Sequence, residues 1–169
     1  AARWGTGHAF RQSLIWRNNA AFSEATRKLL NDLCGSDQDL HETLEVLLTV
    51  ATIPGHPLNA TSLDRWFRED AMADRDAWWS TYLYSAWGGH GAVDRLVDWA
   101  WALGRDAGIA DDAVDLCGIA LVWMLTTSHR FLRDRATKAL VSLYTGRLAS
   151  MVRLVDRFAD VDDPYVTER

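Results

Sequence analysis

Between Asp112 and Leu125 the chain is apolar on nearly every side, with Asp115 as the one charged interruption in a run that includes Val114, Leu116, Ile119, Leu121, Trp123 and Leu125. A surface helix keeps its apolar residues on one stripe, so a segment apolar all round has to be covered from several directions. The run from Ala113 to Leu125 is about 13 residues long, short of the roughly 20 that a membrane-spanning helix needs. It predicts a buried central helix, and the rest of the chain has to supply the elements that cover it.

Those elements read as helices, because apolar residues recur at helical spacing while the alternation of half-buried strands is missing. Phe22, Ala25, Leu29, Leu30 and Leu33 form one stripe, and Gly35 stands where a left-handed residue would end the helix. Ser36 with Asp39 three residues on is a capping-box arrangement, followed by Leu40, Leu44, Leu47, Leu48 and Ala51. Pro54-Gly55-His56-Pro57 forces a loop. Asn59, Thr61 and Ser62 are candidate caps for the helix after it, and Asp74 opens another with Trp78, Trp79, Tyr82, Leu83 and Ala86 on its inner side. Gly88-Gly89-His90-Gly91 leads into a stripe of Val93, Leu96, Val97, Ala100 and Trp101. Beyond the central segment, Thr127 or Ser128 is expected to cap a helix carrying Phe131, Leu132, Ala136, Ala139 and Leu143, and Leu148, Met151, Val155 and Phe158 outline the next. Asp163-Pro164 then starts one more, with proline at a position where its missing N–H costs nothing. The expectation is an all-α fold of antiparallel helical pairs, about eight helices in a single helical-repeat unit spanning 1–169. Residues 1–21, with Gly5, Gly7 and His8, read as an irregular lead-in, and 129–169 as the most regular repeat region.

Charge and composition narrow the function. A net charge of −5 with acidic and basic residues interspersed argues against a nucleic-acid footprint. Cys34 and Cys117 are far apart and inside helical patterns, so they read as small buried hydrophobes and not as a disulfide framework. No secretory signal is visible in 1–10, and a cytoplasmic setting is expected. The chain starts without methionine and stops inside a helix, the pattern of a segment excised from a larger protein.

His129-Arg130-Phe131-Leu132-Arg133-Asp134-Arg135 aligns in residue type with Asp163-Pro164-Tyr165-Val166-Thr167-Glu168-Arg169 at an offset of 34. A period of that size with two helices per unit is what stacked α-solenoids produce. The phrase from Phe131 to Leu140 resembles the inner helix of a HEAT-type repeat. With Ala21 to Thr26, Thr49 to Pro57 and Asp74 to Trp79, it resembles the helical region of large bacterial STAND-type NTPases, NACHT-like ATP-binding proteins associated with antiphage defence. The resemblance implies a helical array that senses a trigger or relays its binding, with nucleotide binding and effector chemistry elsewhere. Consistent with that division, Gly88-Gly89-His90-Gly91 has no following lysine and no phosphate-binding loop is present, so no cofactor is expected in this segment.

Site residues are few. The histidines His8, His41, His56, His90 and His129 have no zinc-binding spacing, and Asp37, Asp39 and His41 sit at a helix start where acidic residues favour the dipole; no metal site is expected. Ser80 and Ser128-His129 lack a hydrolase elbow, and no catalytic residue is assigned. Among the nine tryptophans most fall on apolar stripes, while Trp79 and Trp99 fit them least well and are the candidates for partner contact. Arg130, Arg133 and Lys138 belong to a local basic excess that either binds a partner or pairs with the acidic residues Asp160, Asp162 and Asp163. The function these readings favour is a non-catalytic scaffold or recognition segment that binds a protein partner or neighbouring domains, with no role in nucleic-acid or membrane binding. A purely structural helical spacer and a helical enzyme or ligand-binding domain without a recognisable motif are the alternatives. A large apolar pocket with convergent polar groups would mark the last.

Overall fold

The computed structural model describes residues 2–103 and 108–167. They form ten α-helices with no strand among them: α1 (Ala2–Trp16), α2 (Glu24–Asp32), α3 (Asp37–Val50), α4 (Ala60–Glu69), α5 (Met72–Ala86), α6 (Ala92–Leu103), α7 (Asp111–Met124), α8 (Arg130–Tyr144), α9 (Leu148–Phe158) and α10 (Pro164–Thr167). The all-α expectation holds, with more helices than the eight expected.

The segment that constrained the fold sits where its composition requires. Every residue from Leu116 to Thr127 is buried, and α7 packs against α4, α6, α8 and α9. The second hub is α3, which packs against α1, α4 and α6. Its N-terminus follows the capping reading, since the Ser36 hydroxyl accepts from the Asp39 N–H and donates to the Asp39 carboxylate. Asn59 caps α4, its side-chain oxygen accepting from the Thr61 N–H. The Pro54 to Pro57 loop turns at Gly55, whose φ of 74° is the left-handed region that suits glycine.

Four local expectations are corrected. Residues 2–16 are helix α1, not an irregular lead-in. Two glycines lower the intrinsic propensity there, but Arg11 is buried against α3, donating to Asp39 (2.7 Å), to Glu42 (2.8 Å) and to the Leu33 carbonyl. Gly35 is not left-handed; α2 ends earlier, at Asp32, with Leu33 as its helical C-cap. The cap of α8 is neither Thr127 nor Ser128 but His129, whose Nδ1 accepts from the Leu132 N–H at 3.2 Å, and Phe131 points outward, 76% exposed. Finally, α9 is rotated from its expected stripe: it buries Ser150, Leu154 and Phe158, so only Phe158 of the expected set faces the core.

Candidate recognition sites

Several interior charges are tied to one another. Asp64 on α4 accepts from the Trp123 indole N–H (2.9 Å), from Arg68 (3.1 Å) and from Arg157 (2.8 Å), joining α4, α7 and α9. Arg68 reaches on to Asp160 at 2.9 Å and to the Arg157 carbonyl. Arg75 on α5 is buried over the Trp123 ring, 4.9 Å from its centroid, and pairs with the buried Asp163 carboxylate at 2.5 Å. Asp163 also caps α10 by accepting from the Tyr165 N–H. Burial pushes the carboxyl of Asp76, beside Arg75, above its usual range. Such groups hold helices in register. The hydroxyls considered for nucleophilic chemistry are also engaged: Ser80 and Ser128 bond each other at 3.2 Å, while the His129 Nδ1 is spent on its cap.

The residues singled out from the sequence lie in different places. Trp79 is fully buried, its indole N–H donating to the Trp123 carbonyl at 2.8 Å among Phe67, Trp78, Tyr82 and Trp123, so it offers no surface to a partner. The buried face of α5 is Arg75, Trp79, Tyr82 and Leu83. The arginine in that stripe obscures its phase in the sequence, which is why Trp79 reads there as fitting the apolar stripe poorly. Trp99 is half-buried and borders a shallow depression of about 160 Å³ with Thr52, Arg95 and Leu96. Arg130 is exposed, 3.8 Å from Asp134, and Lys138 is exposed on the same helix. Arg133 turns inward instead, donating to the Thr127 carbonyl at 2.9 Å and lying over the Tyr165 ring. The structure therefore does not bring these five residues together.

Two surface features escaped the sequence reading. The first is the outer side of α9, where Leu148, Met151, Val152 and Val155 are exposed by 77, 42, 49 and 55%. Their i, i+3, i+4, i+7 spacing forms one continuous apolar seam. Since α9 already buries a second face, its sequence is apolar on two sides, and periodicity alone could not say which side met the core.

The second feature is a groove between α2, α3 and α4 of about 470 Å³, within the size range of small-molecule sites. Leu47, Leu58 and Leu63 make its floor, Leu30 and Trp66 its walls, and the Cys34 thiol opens into it. Arg27, Arg65 and Glu69 stand at its edge. The groove exists because α2 is lightly seated: it buries only Thr26, leaving Leu30 half-buried and Leu29 exposed. Among the described residues no group of three acidic, histidine or cysteine side chains could hold a metal ion, and no helix is long and apolar enough to cross a membrane.

Compared with known protein families, curated proteins and solved structures, the chain matches none.

Proposed function

We propose that this chain is a non-catalytic helical scaffold that recognises a protein partner, and that the seam on α9 is the surface it presents. The observation that carries the reading is the exposure of Leu148, Met151, Val152 and Val155 side by side on one helix. Scattered exposed apolar residues are ordinary, but a contiguous row at helical spacing marks a surface made to be covered. We further propose that the scaffold is of the HEAT-like, solenoid kind and belongs to a bacterial ATP-binding defence protein of the STAND type, with nucleotide binding and effector action outside this segment. Two features support it. Besides the quoted phrases, α8 and α10 open 34 residues apart, each at a side-chain N-cap, His129 and Asp163. In a stacked array each unit leaves an apolar helix face for the next surface to cover, and α9 has such a face.

The test is site-specific photo-crosslinking from position 155 in the intact protein in cells. A discrete adduct is expected, mapping to one apolar helical segment and lost when Leu148→Asp and Val152→Asp are introduced together. Because both side chains are exposed, this double variant should melt within about 2 °C of the parent. No adduct, or an adduct indifferent to the two aspartates, overturns the proposal.

A further inference from the structure

The groove between α2, α3 and α4 is separate from the α9 seam and asks for a different kind of ligand. We infer that it binds a small amphiphile, an aliphatic tail carrying one anionic head group, with the tail over Leu47, Leu58 and Leu63 and the head between Arg27 and Arg65. Three observations converge on this chemistry. The floor is leucine, with the Trp66 ring held as a wall by stacking on Trp78 at 4.8 Å and 17°. An aliphatic tail laid there removes apolar surface from water on both sides. The volume of about 470 Å³ admits a chain of roughly ten carbons with its head at the mouth.

The charges at the edge decide the sign of the head. Arg65 bonds to no other side chain among the described residues, and Arg27 has only an exposed contact with Glu24 at 3.3 Å. The Arg65 fork is therefore open to carboxylate or phosphate oxygens, and Arg27 has only its exposed Glu24 contact to exchange for them. Glu69, one turn beyond Arg65, is the single acidic residue lining the groove and opposes an anion. The light seating of α2 gives the tail a way in, since Thr26 is the only residue of that helix fully withdrawn from solvent.

Cys34 supplies the readout. Its Sγ lies in the groove, 3.3 Å from the Leu30 carbonyl and 3.4 Å from the Thr43 hydroxyl, whereas Cys117 is fully buried and burial pushes its thiol up out of reactivity. A thiol reagent therefore reports on position 34, with Cys34→Ser as the blank. The experiment measures the labelling rate with decanoate, decyl phosphate and decyltrimethylammonium, each below its micellar concentration. Either anion is expected to slow labelling about fivefold or more at saturation, the amphiphilic cation not at all, and the two anions together identify the head group preferred. Arg65→Glu and Arg27→Glu, both on exposed side chains, should each weaken protection about tenfold, and Glu69→Gln should strengthen it. Circular dichroism confirms that each variant is folded. Labelling unchanged by both anions overturns the inference. Protection that is equal for the cation, or unaltered by both charge reversals, overturns it too, because it would show only a sticky apolar surface. None of these outcomes bears on the α9 seam.

Discussion

Replacing Gly118 by alanine should destabilise the fold although it improves the helix. Gly118 lies inside α7, and in an ordinary helix interior glycine to alanine gains about 1 kcal/mol. Here the added Cβ would meet the Tyr144 ring from α8, at 2.8 Å from Cζ and 3.0 Å from Cε2, with the hydroxyl oxygen nearer still. Carbon atoms pack at about 3.5–4.0 Å, so the ring has to retreat by roughly 0.7 Å or more. Tyr144 is itself buried and its hydroxyl donates to the Val114 carbonyl at 3.4 Å, so the ring has little room to move. Overpacking of that kind costs about 1–3 kcal/mol, and losing the buried hydroxyl bond about 1 more. After the propensity gain the net loss is about 1–3 kcal/mol, a fall in melting temperature of roughly 3–10 °C for a chain of this size. Urea melts followed by circular dichroism give the free energy. Repeating the substitution in a Tyr144→Leu background isolates the cause: there Gly118→Ala should be neutral or stabilising, a coupling of at least about 1–2 kcal/mol. A Gly118→Ala variant as stable as the parent refutes the argument, as does one equally damaged in both backgrounds.

Acid should act in two stages. Burial holds the His56 pKa below its ordinary 6.5, outweighing the bond between Nε2 and the Leu14 carbonyl, which pulls it the other way, while Nδ1 accepts from the Leu58 N–H. The folded chain binds that proton less tightly than the unfolded one, so this stability is intact above pH 6.5 and declines as pH falls below it. At Glu42 burial alone would raise the carboxyl, but bonds from Arg11, Gln38 and His8 outweigh it and hold the group at about 2, below its ordinary 4.5. Its contribution is lost as pH drops from 4.5 toward 2, at most about 3 kcal/mol and less after solvent screening. Melting curves across pH should show the first stage vanish in His56→Leu and the second in Glu42→Gln; stages that persist in those variants contradict the assignment. Arg75→Met should cost about 3–5 kcal/mol by leaving the buried Asp163 carboxylate without its guanidinium, and adding Asp163→Asn should recover part of it; a double variant no better than the single one refutes the pairing argument.

How far the sequence revealed this fold depends on where each helix finds its stability. Helix α7 was readable because its burial is a property of its own composition, and the Ser36 and Asn59 caps because a cap is local chemistry within three residues. Helix α1 was not, since its glycines argue against it and what fixes it is Arg11 meeting Asp39 and Glu42 about thirty residues away. The same reason hid the inward place of Trp79. A stripe that includes Arg75 looks polar until Asp163, far along the chain, is known to neutralise it.

The two surface sites were hidden for a related physical reason. The α9 seam is made of residues that any amphipathic reading places inside, and it becomes visible only once Leu154 and Phe158 are seen to occupy the core instead. The groove has no motif at all, because its leucines belong to α2, α3, α4 and the loop between the last two, and its thiol to the turn after α2. Both sites arise from incomplete covering, on one side of α9 and under a lightly seated α2. A periodic pattern states how much apolar surface a helix carries, but only the packing of its neighbours decides how much is left over for a ligand or partner.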